Sequence, residues 1–271
     1  IEIDNEQQVK IILTEIKKEI FKVNEVKKSE RKRAPSPTFT TSSMQQEAAR
    51  KLNFTAKKTM MVAQQLYEGL DIKEEGTVGL ITYMRTDSTR VSEQAQKDAA
   101  GYIGNNYGKE YLGSGSVIRK NKKNVQDAHE GIRPTSVFRT PEKVKDSLTK
   151  DQFRLYKLIW ERFISSQMAP AIYNTISISI KAGAYIFKVS GSTVKFPGFM
   201  VLYIEGSDEE SEKEDNQLPE LKEGQTLKLL KLLPGQHFTQ PPPRYSEAML
   251  VKVLEEKGIG RPSTYAPTID V

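Results

Sequence analysis

The sequence predicts an α+β protein of several domains, in which a mainly helical domain is inserted into a β-rich one. Between residues 43 and 169, apolar side chains recur at the three- and four-residue spacing of amphipathic helices. Between residues 175 and 180, threonine or serine alternates strictly with isoleucine, which is typical of a half-buried strand. The chain has 271 residues, a length that accommodates two or three domains.

The positions of these patterns divide the chain into four predicted parts. The first part of the β-rich domain is 1–42, the helical domain is 43–169, the second part of the β-rich domain is 170–240, and the start of a truncated helical domain is 241–271. Two prolines within residues 34–38 resist helix formation, so we expect an extended linker between the first two parts.

Polar residues that can cap helices stand ahead of the apolar stripes. Helix starts are predicted at Ser43, Thr55, Ser92, Thr149 and Ser246. At Ser43 and Thr149, a glutamine three residues later completes the capping-box pattern. Gly258 is predicted to end the last of these helices, because glycine readily adopts the left-handed conformation that follows a helix.

The second β-rich part contains short glycine-rich stretches that are predicted to be turns between short strands. These stretches are residues 181–183 and 190–192, and a further strand is predicted over residues 226–233.

The composition narrows the possible functions. The chain has no cysteine, which excludes disulfides and thiolate metal sites, and it has two histidines. No apolar run reaches the roughly 18 residues of a membrane helix. Lys and Arg number 21 against 15 Asp and Glu within residues 43–169, so this segment favours a polyanion such as nucleic acid. A solvated, slightly basic face explains the same charge about equally well.

The most informative run is Ile81-Thr82-Tyr83-Met84-Arg85-Thr86-Asp87-Ser88. If it is extended, Tyr83, Arg85 and Asp87 point to the same side. A phenol has an ordinary pKa near ~10, so attack on phosphorus requires nearby positive charge or a base. Arg85 could hold a phosphate and favour the phenolate. Spacing alone nevertheless favours a tyrosine that simply packs beside an arginine.

A second run, Asp127-Ala128-His129-Glu130-Gly131-Ile132-Arg133-Pro134-Thr135, contains one of the two histidines. His129 could contact a phosphate or transfer a proton. A histidine that is satisfied by local hydrogen bonds is an equally good interpretation of the run taken alone.

A third run is Gly258-Ile259-Gly260-Arg261-Pro262-Ser263-Thr264-Tyr265. Its hydroxyl residues are predicted to begin a helix, whose backbone N–H groups could bind a phosphate. Glycine-rich capping turns are common, so this run alone is a weak indication.

Together, the three runs resemble one family, the type IA DNA topoisomerases. Residues 80–88 resemble its active-site signature, residues 127–135 its histidine motif, and residues 244–265 its later DNA-binding motif. The resemblance extends from about Pro35 to the end of the chain, and Met84 matches the bacterial topoisomerase I branch.

The resemblance implies a fold and a reaction. The fold is a β-rich arch that carries a helical nucleophile domain. Tyr83 would attack single-stranded DNA to form a 5′-phosphotyrosyl bond, a strand would pass, and rejoining would relax negative supercoils without ATP. Arg85 would position the phosphate, and His129 would contact it or assist proton transfer. DNA contacts are implied for Arg85, Asp87, Arg133, Arg261, Ser263 and Thr264.

The family's Toprim domain, which binds Mg²⁺ through acidic residues, and its zinc ribbons are not recognisable in these residues. Six acidic residues and one lysine within residues 207–216 are predicted to form a solvated loop and not a metal site. We therefore expect a central fragment that binds no metal and is weak or inactive in relaxation. The complete enzyme is expected to be monomeric and Mg²⁺-dependent. We also expect it to be cytoplasmic and associated with the nucleoid, and not with a membrane.

Two other classes of protein remain possible on the residues alone. A DNA-binding module without chemistry would explain the basic central segment. A tyrosine recombinase would also combine tyrosine, arginine and histidine, but it makes a 3′-phosphotyrosine and places its tyrosine after the basic residues, whereas Tyr83 precedes His129 and Arg133.

Overall fold

The computed structural model describes residue 3 and residues 5–113, 129–206 and 217–270. Within these residues the helices are α1 (Glu6–Ile16), α2 (Thr41–Leu52), α3 (Ala56–Glu68), α4 (Glu93–Asn106), α5 (Pro141–Val144), α6 (Lys150–Ser166), α7 (Glu247–Glu256) and α8 (Tyr265–Ile269). The strands are β1 (Phe21–Arg33), β2 (Leu70–Ile72), β3 (Gly76–Val78), β4 (Ala171–Ala182), β5 (Tyr185–Phe196) and β6 (Thr226–Leu227). The predicted α+β content is confirmed as helices combined with antiparallel sheet.

Most of the predicted helix caps are confirmed. In each of α3, α4, α6 and α7, the capping side chain accepts a hydrogen bond from the backbone N–H three residues later; the caps are Thr55, Ser92, Thr149 and Ser246. The predicted start at Ser43 is wrong by three residues. Thr40 caps α2, because its hydroxyl and that of Ser43 bond each other's backbone N–H groups.

The end of α7 also matches the prediction. Gly258 has φ +68°, its N–H donates to the carbonyl of Glu255, and the N–H of Ile259 donates to that of Leu254. These two bonds pair carbonyls that the end of a helix leaves open, and the left-handed conformation suits glycine.

The described chain forms two compact units. The first contains Ile1–Lys32, Ile172–Phe196 and Ser211–Pro243, as far as these are described, and its four-stranded sheet has the order β5-β4-β1-β6. Strands β4 and β5 form a long antiparallel hairpin around Gly183, and β6 pairs antiparallel with β1. Ile16, Phe21 and Ala182 form a buried cluster between α1 and the sheet.

Two expectations for this sheet are wrong. Residues 190–192 are not a turn, because Ser190 and Ser192 continue β5 opposite Ser177 and Thr175. The strand predicted over residues 226–233 is limited to β6. The basic run before residue 34 belongs to a strand, β1, in which Ser29 shares a side-chain hydrogen bond of 2.7 Å with Thr175 of β4.

The second unit contains Arg33–Ala171, Pro197–Glu210 and Arg244–Val271, as far as these are described. Its core is built on α6, where Leu155, Ile159 and Phe163 are fully buried. Polar atoms on the same helix hold a neighbouring segment, since the Tyr156 hydroxyl donates to the Arg139 carbonyl at 2.6 Å and the Trp160 indole donates to the Val137 carbonyl at 3.0 Å. Burial raises the pKa of Tyr156, so this hydroxyl stays a donor. The four-part domain division drawn from the sequence stays a prediction.

A buried polar network in the second unit joins α2 to residues 203–206. The Glu47 carboxylate on α2 is 1% exposed, accepts the N–H of Gly206 at 3.1 Å and accepts the hydroxyl of Tyr203. Lys51 lies 3.5 Å from the same carboxylate, one helical turn away. Because a buried charge is costly unless it is paired, these partners make residue 47 a fixed point of the fold.

A matching set of contacts surrounds Arg162 on α6. Its guanidinium donates to the Pro37 carbonyl at 2.7 Å and to Glu205 at 2.9 Å. Ser36 donates to the other Glu205 oxygen. Burial raises the pKa of Glu205, but the charge of Arg162 and the two hydrogen bonds outweigh it and leave the pKa below its ordinary value.

Among the described residues, none of the helices has both the length and the apolar character that a membrane span requires.

We predict that Glu47→Ala lowers the free energy of unfolding by about 3–5 kcal/mol, since it leaves buried donors and a lysine without their acceptor. Glu142→Ala is the matched control, because its exposed pair with Lys145 contributes at most about 1 kcal/mol. Urea unfolding followed by circular dichroism measures both variants. Equal stabilities would show that the Glu47 network is not a fixed point of the fold.

Candidate active site

The Tyr83 segment presents alternate side chains to solvent. Tyr83 is 38% exposed, Met84 is 1% exposed, Arg85 is exposed and Thr86 is 3% exposed. Asp87 continues the exposed series. The tyrosine, the arginine and the aspartate are therefore all exposed in the second unit. Their position on one shared side stays a prediction, because bends at residues 82, 84 and 85 interrupt the extended chain that it requires.

The start of α2 holds the backbone of this segment. The Thr41 N–H donates to the Thr86 carbonyl at 2.9 Å, and the Thr41 hydroxyl donates to the Met84 carbonyl at 2.7 Å. The same hydroxyl accepts the N–H of Thr86 at 2.9 Å. The first N–H groups of a helix have no partner within the helix, so α2 supplies a donor that must in any case be paired.

Hydrogen bonds join residues 131–135 of the second motif to residues 80–82 of the first. The N–H of Thr82 donates to the Arg133 carbonyl at 2.9 Å, and the Thr82 hydroxyl donates to the Gly131 carbonyl at 2.8 Å. The N–H of Thr135 donates to the Leu80 carbonyl at 2.9 Å. A Cβ on Gly131 would lie 2.4 Å from the Thr38 hydroxyl oxygen, so this close approach requires glycine.

His129 and Tyr67 both touch the Tyr83 ring. The imidazole centroid of His129 lies 5.6 Å from the ring centroid of Tyr83, with planes 50° apart. The ring of Tyr67, at the end of α3, lies 5.5 Å away and is close to edge-on. The structure thus brings His129 to the predicted nucleophile, as the sequence predicted, and adds an aromatic neighbour that the sequence reasoning missed.

The two arginines of these motifs are used differently. The Arg133 guanidinium donates to Glu130 at 2.6 and 2.9 Å and to the Pro134 carbonyl at 3.0 Å. In the part of the chain that the structure describes, no hydrogen bond or ion pair engages the Arg85 guanidinium. Arg85 is therefore available to a ligand, whereas Arg133 is largely occupied by its own loop.

The third motif lies at the same end of the unit. Ser42 on α2 donates to Glu255 on α7 at 2.7 Å. Burial and the charges of Glu255 and Asp87 raise the pKa of Tyr265, although the charge of Arg261 opposes them.

Arg261, Ser263 and Thr264, the predicted DNA-binding residues of the third motif, are all exposed. A helix, α8, begins just after them, as expected. The Thr264 hydroxyl does not cap it, because it accepts the Arg261 N–H at 2.8 Å. DNA contacts by these three residues stay a prediction.

Comparison with known proteins identifies the chain. The family model described as DNA topoisomerase matches residues 1–271. Full-length topoisomerase I from Thermotoga maritima, solved in a monoclinic crystal form, is 40% identical and superposes with a TM-score of 0.80. The chain belongs to the bacterial type IA DNA topoisomerase family.

The alignment with the Thermotoga topoisomerase covers 99% of this chain and 42% of the other. The predicted family is therefore confirmed, and this topoisomerase chain spans less than half the length of that relative. Nothing in these comparisons assigns a role to an individual residue, so the catalytic and DNA-binding residues stay predictions.

We predict that Thr41→Val loosens the Tyr83 segment of this topoisomerase chain. The variant keeps the shape of the side chain but leaves a buried carbonyl and a buried N–H unpaired, at about 1–3 kcal/mol each. Hydrogen exchange at the Thr86 amide measures the effect directly and should become faster. Thr41→Ser retains the hydroxyl, so its exchange should stay close to wild type. Slow exchange in both variants would show that other contacts hold the segment.

Proposed function

We propose that this chain carries the strand-cleaving tyrosine of a topoisomerase, and that the tyrosine is Tyr83. The observation that carries the proposal is the exposure of Tyr83 and, two residues along the chain, of an arginine that has no described protein partner. Membership in the topoisomerase family supports the reaction class and makes DNA the proposed partner. Single-stranded and negatively supercoiled DNA are the forms of DNA that we propose.

The proposed cleavage is a displacement at phosphorus. The Tyr83 oxygen bonds to the phosphorus of a DNA phosphodiester as the bond from phosphorus to the 3′ oxygen breaks. The phenol loses its proton and the departing 3′ oxygen gains one, so the products are a 5′-phosphotyrosyl enzyme and a free 3′-hydroxyl. Rejoining is the reverse reaction. Because the phosphotyrosyl bond retains the energy of the broken bond, the cycle needs no ATP.

Arg85 is proposed to act on the phosphate. A guanidinium can place two parallel N–H groups on two phosphate oxygens, which fixes their orientation and offsets negative charge that builds up during attack. Among the described residues, no ion pair of Arg85 has to break before it engages a phosphate. Its exposed position two residues from Tyr83 suits this role.

His129 is proposed to assist near the same phosphate. Its imidazole contacts the Tyr83 ring and is exposed, so it can accept the phenolic proton or donate to a phosphate oxygen. Asp87, Arg261, Ser263 and Thr264 are exposed and are proposed to contact DNA. Arg133 is proposed to act mainly by holding the loop that carries His129, because Glu130 and Pro134 occupy its donors.

Magnesium stays a prediction for the complete enzyme. Among the described residues, no three histidine, cysteine or acidic side chains come together to hold a metal ion, and residues 207–216 lie outside the described residues. No step above depends on bound magnesium. Monomeric state, cytoplasmic location and weak activity of the isolated chain are likewise predictions.

We predict that Tyr83→Phe abolishes covalent capture of single-stranded DNA, because it removes the attacking oxygen. The measurement uses oligonucleotides labelled at one end, incubated with this chain joined to the remaining domains of its family. In the wild type, a 3′-end label should stay with the denatured protein and a 5′-end label should be released.

The neighbouring tyrosine supplies the control for this measurement. Tyr67→Phe keeps its ring and should leave capture intact. Retention of the 5′-end label would identify a 3′-phosphotyrosine, as made by a tyrosine recombinase. Binding without any adduct would identify a module without chemistry.

We predict that Arg85→Ala slows cleavage by about 100- to 1,000-fold, the usual effect of losing one group that stabilises transition-state charge. Arg85→Lys should fall between wild type and alanine, because it keeps the charge but loses the fork. Lys97→Ala removes an exposed cation outside the three motifs and serves as the control. The measurement is the single-turnover cleavage rate of each variant. A wild-type rate in Arg85→Ala would remove Arg85 from the mechanism.

A further inference from the structure

Tyr67 is an exposed aromatic residue beside the proposed nucleophile. Its side chain is 40% exposed and its ring meets that of Tyr83 at 5.5 Å with planes 65° apart. Edge-to-face pairs at this distance are attractive, so the contact favours the observed arrangement of the two rings. An aromatic side chain that keeps two fifths of its surface open in such a pair has surface left for a ligand.

The backbone around Tyr67 is fixed as firmly as its ring. The N–H of Leu80 donates to the Leu66 carbonyl at 2.7 Å, and the Leu66 side chain is fully buried. A Cβ on Gly79 would lie 2.7 Å from the Tyr67 carbonyl, so the chain that leads to Tyr83 passes directly against the end of α3. The separation of Tyr67 and Tyr83 is therefore set by the scaffold, as a preorganised binding site requires.

We propose that Tyr67 binds an unpaired DNA base that flanks the phosphodiester cleaved by Tyr83. An unpaired base has a π-face without a stacking partner, and an aromatic side chain supplies one regardless of base identity. The inference rests on the proposed function, because Tyr83 defines where the strand must lie. Stacking of a neighbouring base would fix the strand relative to Tyr83 and Arg85, which a phosphate contact alone cannot do.

A photochemical test detects this contact without cleavage. Single-stranded oligonucleotides with one 5-iodouracil at successive positions are irradiated with the Tyr83→Phe chain, and the crosslinked residue is identified by mass spectrometry. We expect a crosslink at Tyr67 from a base at one position or two adjacent ones. Crosslinks confined to other aromatic residues, such as exposed Phe138, would overturn the proposal.

A second test uses cleavage by wild-type Tyr83, with the remaining domains of the family present. Tyr67→Leu should slow cleavage by about 5- to 150-fold, the usual range for loss of one stacked base. Tyr67→Phe should retain the wild-type rate, because stacking needs the ring and not the hydroxyl. Phe138→Leu is the matched control for loss of an exposed aromatic ring, and circular dichroism checks that each variant is folded.

Abasic substrates separate stacking from simple packing against Tyr83. Removal of the base at the crosslinked position should slow the wild type as much as Tyr67→Leu does, and should slow Tyr67→Leu no further. Additive effects would mean that Tyr67 supports Tyr83 without touching DNA, and would overturn the proposal. A Tyr67→Phe variant as slow as Tyr67→Leu would do the same, because it would assign the effect to the hydroxyl.

The outcomes also separate this inference from the proposed function. Capture at Tyr83 without the crosslink and without coupling to an abasic position rejects base stacking and leaves the nucleophile in place. A crosslink at Tyr67 with no adduct in the wild type rejects the cleavage proposal and leaves a base-binding site.

Discussion

The arrangement of the candidate site depends on one constraint, the pairing of the first N–H of α2 with the carbonyl of Thr86. A helix leaves its first donors without partners, and a buried donor without a partner is costly. At Thr41 this donor is paired, since the N–H and the hydroxyl of Thr41 both form hydrogen bonds with the backbone of the Tyr83 segment. Met84 and Thr86 are thereby held in buried positions, while Tyr83 and Arg85 stay exposed.

The same helix is held at a second place by buried charge. Glu47 lies on α2 and pairs with Tyr203 and Gly206, so α2 cannot shift along its axis without exposing or unpairing a carboxylate. Arg162 holds the Pro37 carbonyl, close to the start of α2. Buried ionic contacts add little net stability relative to apolar packing, but their geometry is demanding. In this unit they fix the helix on which the position of Tyr83 depends.

Features governed by local chemistry could be predicted from the sequence, and features governed by distant pairing could not. The caps at Thr55, Ser92 and Thr149 depend on a hydroxyl and an N–H three residues apart, so the sequence reveals them. By contrast, β1 is rich in exposed charged residues and is a strand because it pairs with β4, about 150 residues away in sequence. Ser190–Ser192 continues β5 for the same reason, although its composition favours a turn.

The candidate site also has features that the sequence predicted and features that it could not predict. The three motifs in family order predicted the topoisomerase family, which the comparisons confirm. The importance of Thr41 and Tyr67 could not be predicted, because each depends on a contact with a segment that is distant in sequence or folded back on itself. Thr41 was missed for a further reason, since the start of α2 was predicted two residues beyond it.

The two motif arginines show why charge has to be interpreted together with its partners. Arg133 and Arg85 are equally cationic and both lie beside the proposed nucleophile in sequence motifs of the same family. Glu130 neutralises Arg133, and binding of a phosphate there would have to break that pair and leave a carboxylate facing a second anion. Arg85 has no such competitor among the described residues, so a phosphate gains its full attraction. Of the two, Arg85 is therefore the arginine that we propose for the phosphate, whereas the donors of Arg133 bond within its own loop.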